Sequence, residues 1–184
     1  MRKAIANFLS IFLITLFLVQ PCQAARDTDS YDGNIFPIYA GNGSLVPPAI
    51  SLREALDNKR TSVIVYYLDD SATSKQFSPV VSGLKLLWGS SVELLPLTVD
   101  DFIGNKSNDP KEESFYWKGN IPQVVVIDGE GNVILDKEGQ VSIEILNQAI
   151  STATGEDLPE FSITIKSFNE YNSEPSKDGY TDPR

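Results

Sequence analysis

The chain has 184 residues, with 25 Asp+Glu against 15 Lys+Arg, no His and one Cys. Without His there is no imidazole base, no His metal ligand and no Ser-His-Asp triad; a single Cys makes no CxxC pair, no Cys-based zinc cage and no intramolecular disulfide. A formal charge of −10 argues against a phosphate backbone as partner, so no nucleic acid is expected, and the length suits one domain with its own core.

Residues 1–24 read as a secretory signal. Arg2 and Lys3 open it, an apolar run follows over residues 8–19, and Pro21, Cys22 and Ala24 prepare a cleavage point after Ala24. The run is short for a bilayer span of about 20 residues, but an uncleaved anchor is the alternative. Cleavage there removes the Cys. Residues 25–49 form an N-terminal extension, polar over 26–36, with a short strand and turn expected around Ile38, Ala40 and residues 41–44. Ser51 and Glu54 have the spacing of a capping box, so a helix starts there and ends near Asn58.

Residues 61–68 are continuously apolar, β-branched or aromatic, and read as a strand buried on both faces. A helix follows over about 74–88, where Val80, Val81, Leu84, Leu87 and Trp88 make one wide face. Residues 92–99 form the next strand, and the polar stretch 102–118 is expected to loop out. Residues 121–127 are a further strand opening with Pro122, where a lost ladder bond does least harm. Asp128 to Asn132 is a turn rather than a calcium loop, because Val133 replaces the turn Gly and Gly139 the twelfth-position Glu; residues 133–135 return antiparallel. Ser142 caps a last helix along Ile143, Leu146, Ile150 and Ala153, which Gly155 stops. Phe161, Ile163 and Ile165 alternate with polar residues, which allows a short extra strand. The acidic tail, residues 156–184, is otherwise expected to be largely disordered. The element order predicts an α/β single domain, a mixed central sheet flanked by helices.

Residues 63–79 resemble the active-site strand and helix of the thioredoxin family. There a buried strand runs into W-C-G-P-C-K, with a Pro five residues after the second Cys. Ser71 and Ser74 stand at the two Cys positions, Lys75 at the following Lys and Pro79 at the helix Pro; Ile121-Pro122 resembles the cis-Pro landmark. The resemblance covers about residues 50–155 and implies a thioredoxin-like fold. The chemical parts depart from it: Asp70 replaces the active-site Trp and Val65 the buried acid. A Ser hydroxyl has neither an accessible redox couple nor a usable pKa, so the thiol redox site is expected to be lost, with no catalytic residue and no cofactor.

Three further stretches, DGNIFPIYAGNGS (32–44), YYLDDS (66–71) and KSFNEYNSEP (166–175), resemble a family of atypical thioredoxin-like proteins of cyanobacterial thylakoids that support accumulation of photosystem I. That resemblance implies an assembly role, photosystem I subunits or intermediates as partners, and the thylakoid membrane, its lumenal side or the lumen as location, with the periplasm as alternative.

Each candidate residue carries two readings. Ser71 and Ser74 either cap a helix or border a peptide groove with Asp70, Ile121 and Pro122. Asp69, Asp70, Asp100 and Asp101 fall at strand ends, where ligands of open α/β sheets sit. They form a solvated acidic rim or, in the rival reading of an exported metal-dependent hydrolase, a divalent-ion site. Phe115, Tyr116 and Trp117 either cover a sheet edge or form a partner-contact patch, and Phe168 and Tyr171 are tail residues of the latter kind.

Overall fold

Among the described residues four strands, β1 (Thr61–Tyr67), β2 (Val92–Thr98), β3 (Gln123–Ile127) and β4 (Val133–Glu138), make one mixed sheet in the order β2–β1–β3–β4. The structure is a computed structural model describing residues 26–159. β1 and β2 run parallel, with Thr61 opposite Val92 and Tyr67 opposite Thr98. β3 is antiparallel to both β1 and β4. The helices are α1 (Ile35–Tyr39), α2 (Leu52–Asp57), α3 (Ala72–Trp88) and α4 (Ile143–Thr154). This is the thioredoxin-like mixed sheet the resemblance implied.

Every residue of β1 is buried, and strand alternation divides them between two cores. Val63, Val65 and Tyr67 face α1, α3 and α4, meeting Phe36, Val81, Leu84 and Leu146. Ile64 and Tyr66 face the other way, toward Leu52, Leu95 and Tyr116. A strand covered on both sides shows no polar alternation, and its two buried polar residues, Thr61 and Ser62, donate their hydroxyls to the Ala153 and Arg60 carbonyls. Trp88, at the end of α3, donates its indole N–H to Asn147 of α4 at 2.8 Å, joining the two helices on one face.

The β3–β4 hairpin forms as the sequence predicted. Asp128 Oδ1 accepts the amides of Glu130 and Asn132, both at 2.9 Å. Gly129 is required by close approach: a Cβ there would lie 2.3 Å from the Lys59 carbonyl oxygen. α4 ends at Gly155, whose φ of 74° returns its amide to Ser151.

Three expectations are corrected. Residues 38–40 do not form a strand. Asn34 Oδ1 accepts the Phe36 amide at 3.0 Å and opens the helix α1, which buries Ile35, Phe36 and Tyr39 while Ile38 stays 39% exposed. The polar stretch 102–118 does not loop out; it folds back over α2 and the sheet. Tyr66 is buried and needs an acceptor for its phenol, which the Glu113 carbonyl supplies at 2.5 Å, and Glu113 Oε1 accepts the Leu52 amide at 2.8 Å. Arg53 reaches Asp109 and Glu112 at 2.6 and 2.5 Å. The Ser half of the predicted capping box forms, with Ser51 Oγ accepting the Glu54 amide at 3.2 Å. Finally, Ser142 occupies the N-cap position of α4, but its side chain accepts no amide there.

The signal segment 1–24 with Cys22, the alternating Phe161, Ile163 and Ile165, and the tail residues Phe168 and Tyr171 lie outside the described residues.

Candidate functional site

The two serines at the start of α3 have their oxygens committed to backbone. Ser71 is the N-cap, and its Oγ accepts the Ser74 amide at 3.4 Å. Ser74 is buried, and its Oγ accepts the Leu68 amide at 3.3 Å, stitching the helix start to the end of β1. A free helix N-terminus presents unpaired amides. Here the Ala72 amide donates to Asp29 Oδ1 at 2.9 Å, so the extension supplies the anion. Ser71→Ala is expected to cost about 1 kcal/mol, the usual value of a lost N-cap, in urea unfolding. A loss above about 3 kcal/mol would give Ser71 a larger role than capping.

The same extension holds a buried lysine that the sequence reading passed over as a family match. Lys75 is fully buried. Its Nζ donates to the Thr28 carbonyl at 3.1 Å, the Ser30 carbonyl at 2.5 Å, Ser30 Oγ at 3.2 Å and Asp32 Oδ2 at 2.7 Å. It also lies 5.4 Å from the Tyr39 ring centre, and the Tyr39 phenol donates to Asp32 Oδ2 at 2.6 Å. A lysine on the buried side of α3, beside Phe77 and Ser78, was the signal that a partner existed. Further along, Asn34 donates to the Tyr67 phenol oxygen at 3.0 Å, and the Ile35 amide to Asp69 at 2.9 Å. Residues 26–36, expected as a polar N-terminal extension, are thereby bound across the serine-bearing start of α3.

Lys75, then Tyr39, hold the Asp32 carboxyl down at about 2. Burial, then Asp32, pushes the Tyr39 phenol up to about 12. A depressed carboxyl contributes stability that is complete above its unfolded pKa of about 4 and is lost as pH falls toward the folded value. The raised phenol contributes stability lost as pH climbs from about 10 toward 12. Asp69 works in the opposite sense to Asp32, since burial, opposed by the Ile35 amide and aided by Asp100 and Asp70, raises its pKa. Asp69 cancels when Asp32→Asn is compared with the parent chain. Urea midpoints of the parent should therefore fall more steeply than those of Asp32→Asn between about pH 4 and 2. Parallel acid limbs would remove Asp32 from the arm's anchoring.

The C-terminal ends of β1 and β2 open onto a largely apolar groove of about 620 Å³ lined by Leu68, Val99, Phe102, Ile103, Trp117 and Ile121, with Lys106 and Lys118 also in its wall; neither serine lines it, and Leu68, whose amide Ser74 accepts, links the two. The Ile121–Pro122 peptide is cis, as the resemblance implied, and Pro122 is buried at the entry to β3. Trp117 stands 5.3 Å from the Tyr66 ring and Phe102 5.8 Å, so the floor is fixed to β1. Ile103 projects at the rim, 67% exposed. Of the predicted aromatic trio, Trp117 lines the groove, Tyr116 is buried with its phenol on the Pro110 carbonyl, and Phe115 is exposed against the Tyr116 ring. Asp70 and Asp100 are exposed, and Asp69 has one oxygen on the Ile35 amide. Among the described residues no group of three or more carboxylates is arranged to hold a metal ion.

No family model matches the chain. The thylakoid membrane protein slr1796 of Synechocystis sp. is 38% identical over 154 residues, covering 82% of this chain and 76% of that protein. The thiol:disulfide interchange protein TxlA homolog of the same organism is 31% identical over 117 residues, which cover 63% of this chain and 62% of that one. A solved structure, a mutant thioredoxin from Halobacterium salinarum NRC-1, aligns at 17% identity and a TM-score of 0.43, over 56% of this chain and 82% of that one. No helix among the described residues is long and apolar enough to cross a membrane. With a thioredoxin-like sheet on the page and identity sustained over most of both sequences, the chain belongs to the family of the thylakoid membrane protein slr1796.

Proposed function

We propose that this protein is a redox-inactive, thioredoxin-like thylakoid protein that supports accumulation of photosystem I through protein contacts. One observation carries the reading: where a dithiol would stand, Ser71 and Ser74 both accept backbone amides, while the adjoining groove stays open and apolar. A hydroxyl so placed offers neither a nucleophile nor a redox couple. An apolar groove at the strand ends offers a surface for another chain. Its lumenal placement, and photosystem I as the client, rest on the likeness in residues 32–44, 66–71 and 166–175.

The test is affinity capture from detergent-solubilised thylakoid membranes, alongside an insulin-reduction assay on the same preparation. Photosystem I subunits or assembly intermediates should co-elute, and insulin should not be turned over. A chain that elutes without membrane partners sinks the assembly role; steady insulin reduction sinks the loss of thiol chemistry.

A further inference from the structure

The groove at the ends of β1 and β2 differs in charge from the chain that builds it. The protein carries 25 Asp+Glu against 15 Lys+Arg, yet the charged residues lining the groove are Lys106 and Lys118, with no carboxylate among them. Asp70 and Asp100, just past the two strands, are exposed but lie outside the lining, and Asp69 has an oxygen on the Ile35 amide. The two lysines are not equivalent. Lys118 Nζ lies 2.9 Å from Asp136 Oδ2, while Oδ1 of that carboxylate accepts from Gln123, so the charge of Lys118 is already matched. Lys106 is exposed, three residues after the projecting Ile103, and has no ion-pair or hydrogen-bond partner among the described residues.

A second feature bears on what can lie there. The main chain of Gly119, Asn120 and Ile121 makes no backbone hydrogen bond among the described residues, although β3 begins only at Gln123. Gly119 and Ile121 both line the groove. Free N–H and C=O groups beside an apolar floor suit an extended polypeptide, which brings its own main chain to pair with them. A fatty acid or lipid tail brings nothing to match them.

We infer that the groove selects an acidic extended segment of a partner protein, with its main chain along residues 119–121, an apolar side chain on Phe102 and Trp117, and an Asp or Glu carboxylate on Lys106. The inference rests on the groove being the protein-contact surface and adds the sign of charge that surface accepts. The charge of the chain sharpens the choice. At −10 the protein repels an acidic segment in general, so such a segment is favoured only where Lys106 faces it, and repulsion elsewhere suppresses wrong placements. A basic segment would be drawn to the acidic surface at large and would meet lysine at the groove.

The experiment is a nuclear magnetic resonance titration of the isotope-labelled full chain with short acetylated, amidated peptides. They share one Gly-Val-Phe-Leu-Gly core and end in Glu-Glu, Gln-Gln or Lys-Lys. The Trp117 indole and the Ile121 amide should shift, and the Glu peptide should bind about fivefold more tightly than the Gln peptide, the upper range of an exposed ion pair. The Lys peptide should bind more weakly than either. Lys106→Gln should bring the Glu and Gln peptides to within about twofold of each other, whereas Lys85→Gln, on α3 and outside the groove, should leave the preference intact. Equal binding of the Glu and Gln peptides, or a Glu preference that survives Lys106→Gln, would overturn the inference and leave the groove standing as a contact surface. Trp117 unmoved by every peptide would overturn both, and a shift with decanoate alone would give the groove to an amphiphile instead.

Discussion

Lys75→Ala is expected to lower the free energy of unfolding by about 3–5 kcal/mol. The ammonium is fully buried and is the common donor for the Thr28 and Ser30 carbonyls and the Asp32 carboxylate. Removing it leaves those acceptors facing a hole the length of the side chain and strips Asp32 of its counter-charge. Leaving buried polar groups unmatched costs more than the ion pair itself contributes. Lys75→Met, which keeps the volume, should lose distinctly less. Urea unfolding of the three chains gives the ordering. A Lys75→Ala chain within about 1 kcal/mol of the parent would mean that residues 26–36 are not held through this nitrogen. The loss should also be local at first, with amides between Ser30 and Tyr39 exchanging faster before the sheet is affected.

The second large effect is on binding. Ile103→Asp should reduce capture of the membrane client about 30-fold, the equivalent of a 2 kcal/mol interface anchor, with no change in stability. Ile103 projects from the groove rim and is 67% exposed, so a carboxylate there strains nothing in the free protein but must be desolvated against an apolar partner. Leu86→Asp is the matched control, because Leu86 is 77% exposed on α3, away from the groove. Equal losses from both substitutions would indicate a general charge effect, and no loss from Ile103→Asp would move the contact surface elsewhere. Trp117 suits this experiment poorly, because its ring is part of the floor against Tyr66.

What the sequence disclosed depended on how far apart the interacting residues lie. β1, α3, the β3–β4 hairpin and α4 were legible because each carries its own period or its own turn residues. The Ser71 cap was legible for the same reason, since an N-cap and the amide that donates to it are three residues apart. α1 was misread as a strand: five residues are too few to display a helical period, and its burial is decided by α3, far along the chain. The 102–118 stretch was misread because its polarity suggested solvent, whereas its polar groups are matched to Leu52, Arg53 and Tyr66. The site divided likewise. The serines and the Ile121–Pro122 landmark could be found by position, but the Lys75–Asp32 pair joins residues 43 apart with no local signature.

The docking of residues 26–36 also sets the leverage with which the domain can be held. Arg26 donates to the Gln76 carbonyl, Gln76 donates to Asp27, and Asp29 accepts the first amide of α3. No slack chain lies between residue 26 and the strand ends. A flexible linker lets a domain sample a volume that grows with linker length; a segment fastened from Arg26 onward has no such freedom. A pull applied at Arg26 is therefore felt first at Gln76 and then at Lys75, rather than at the core.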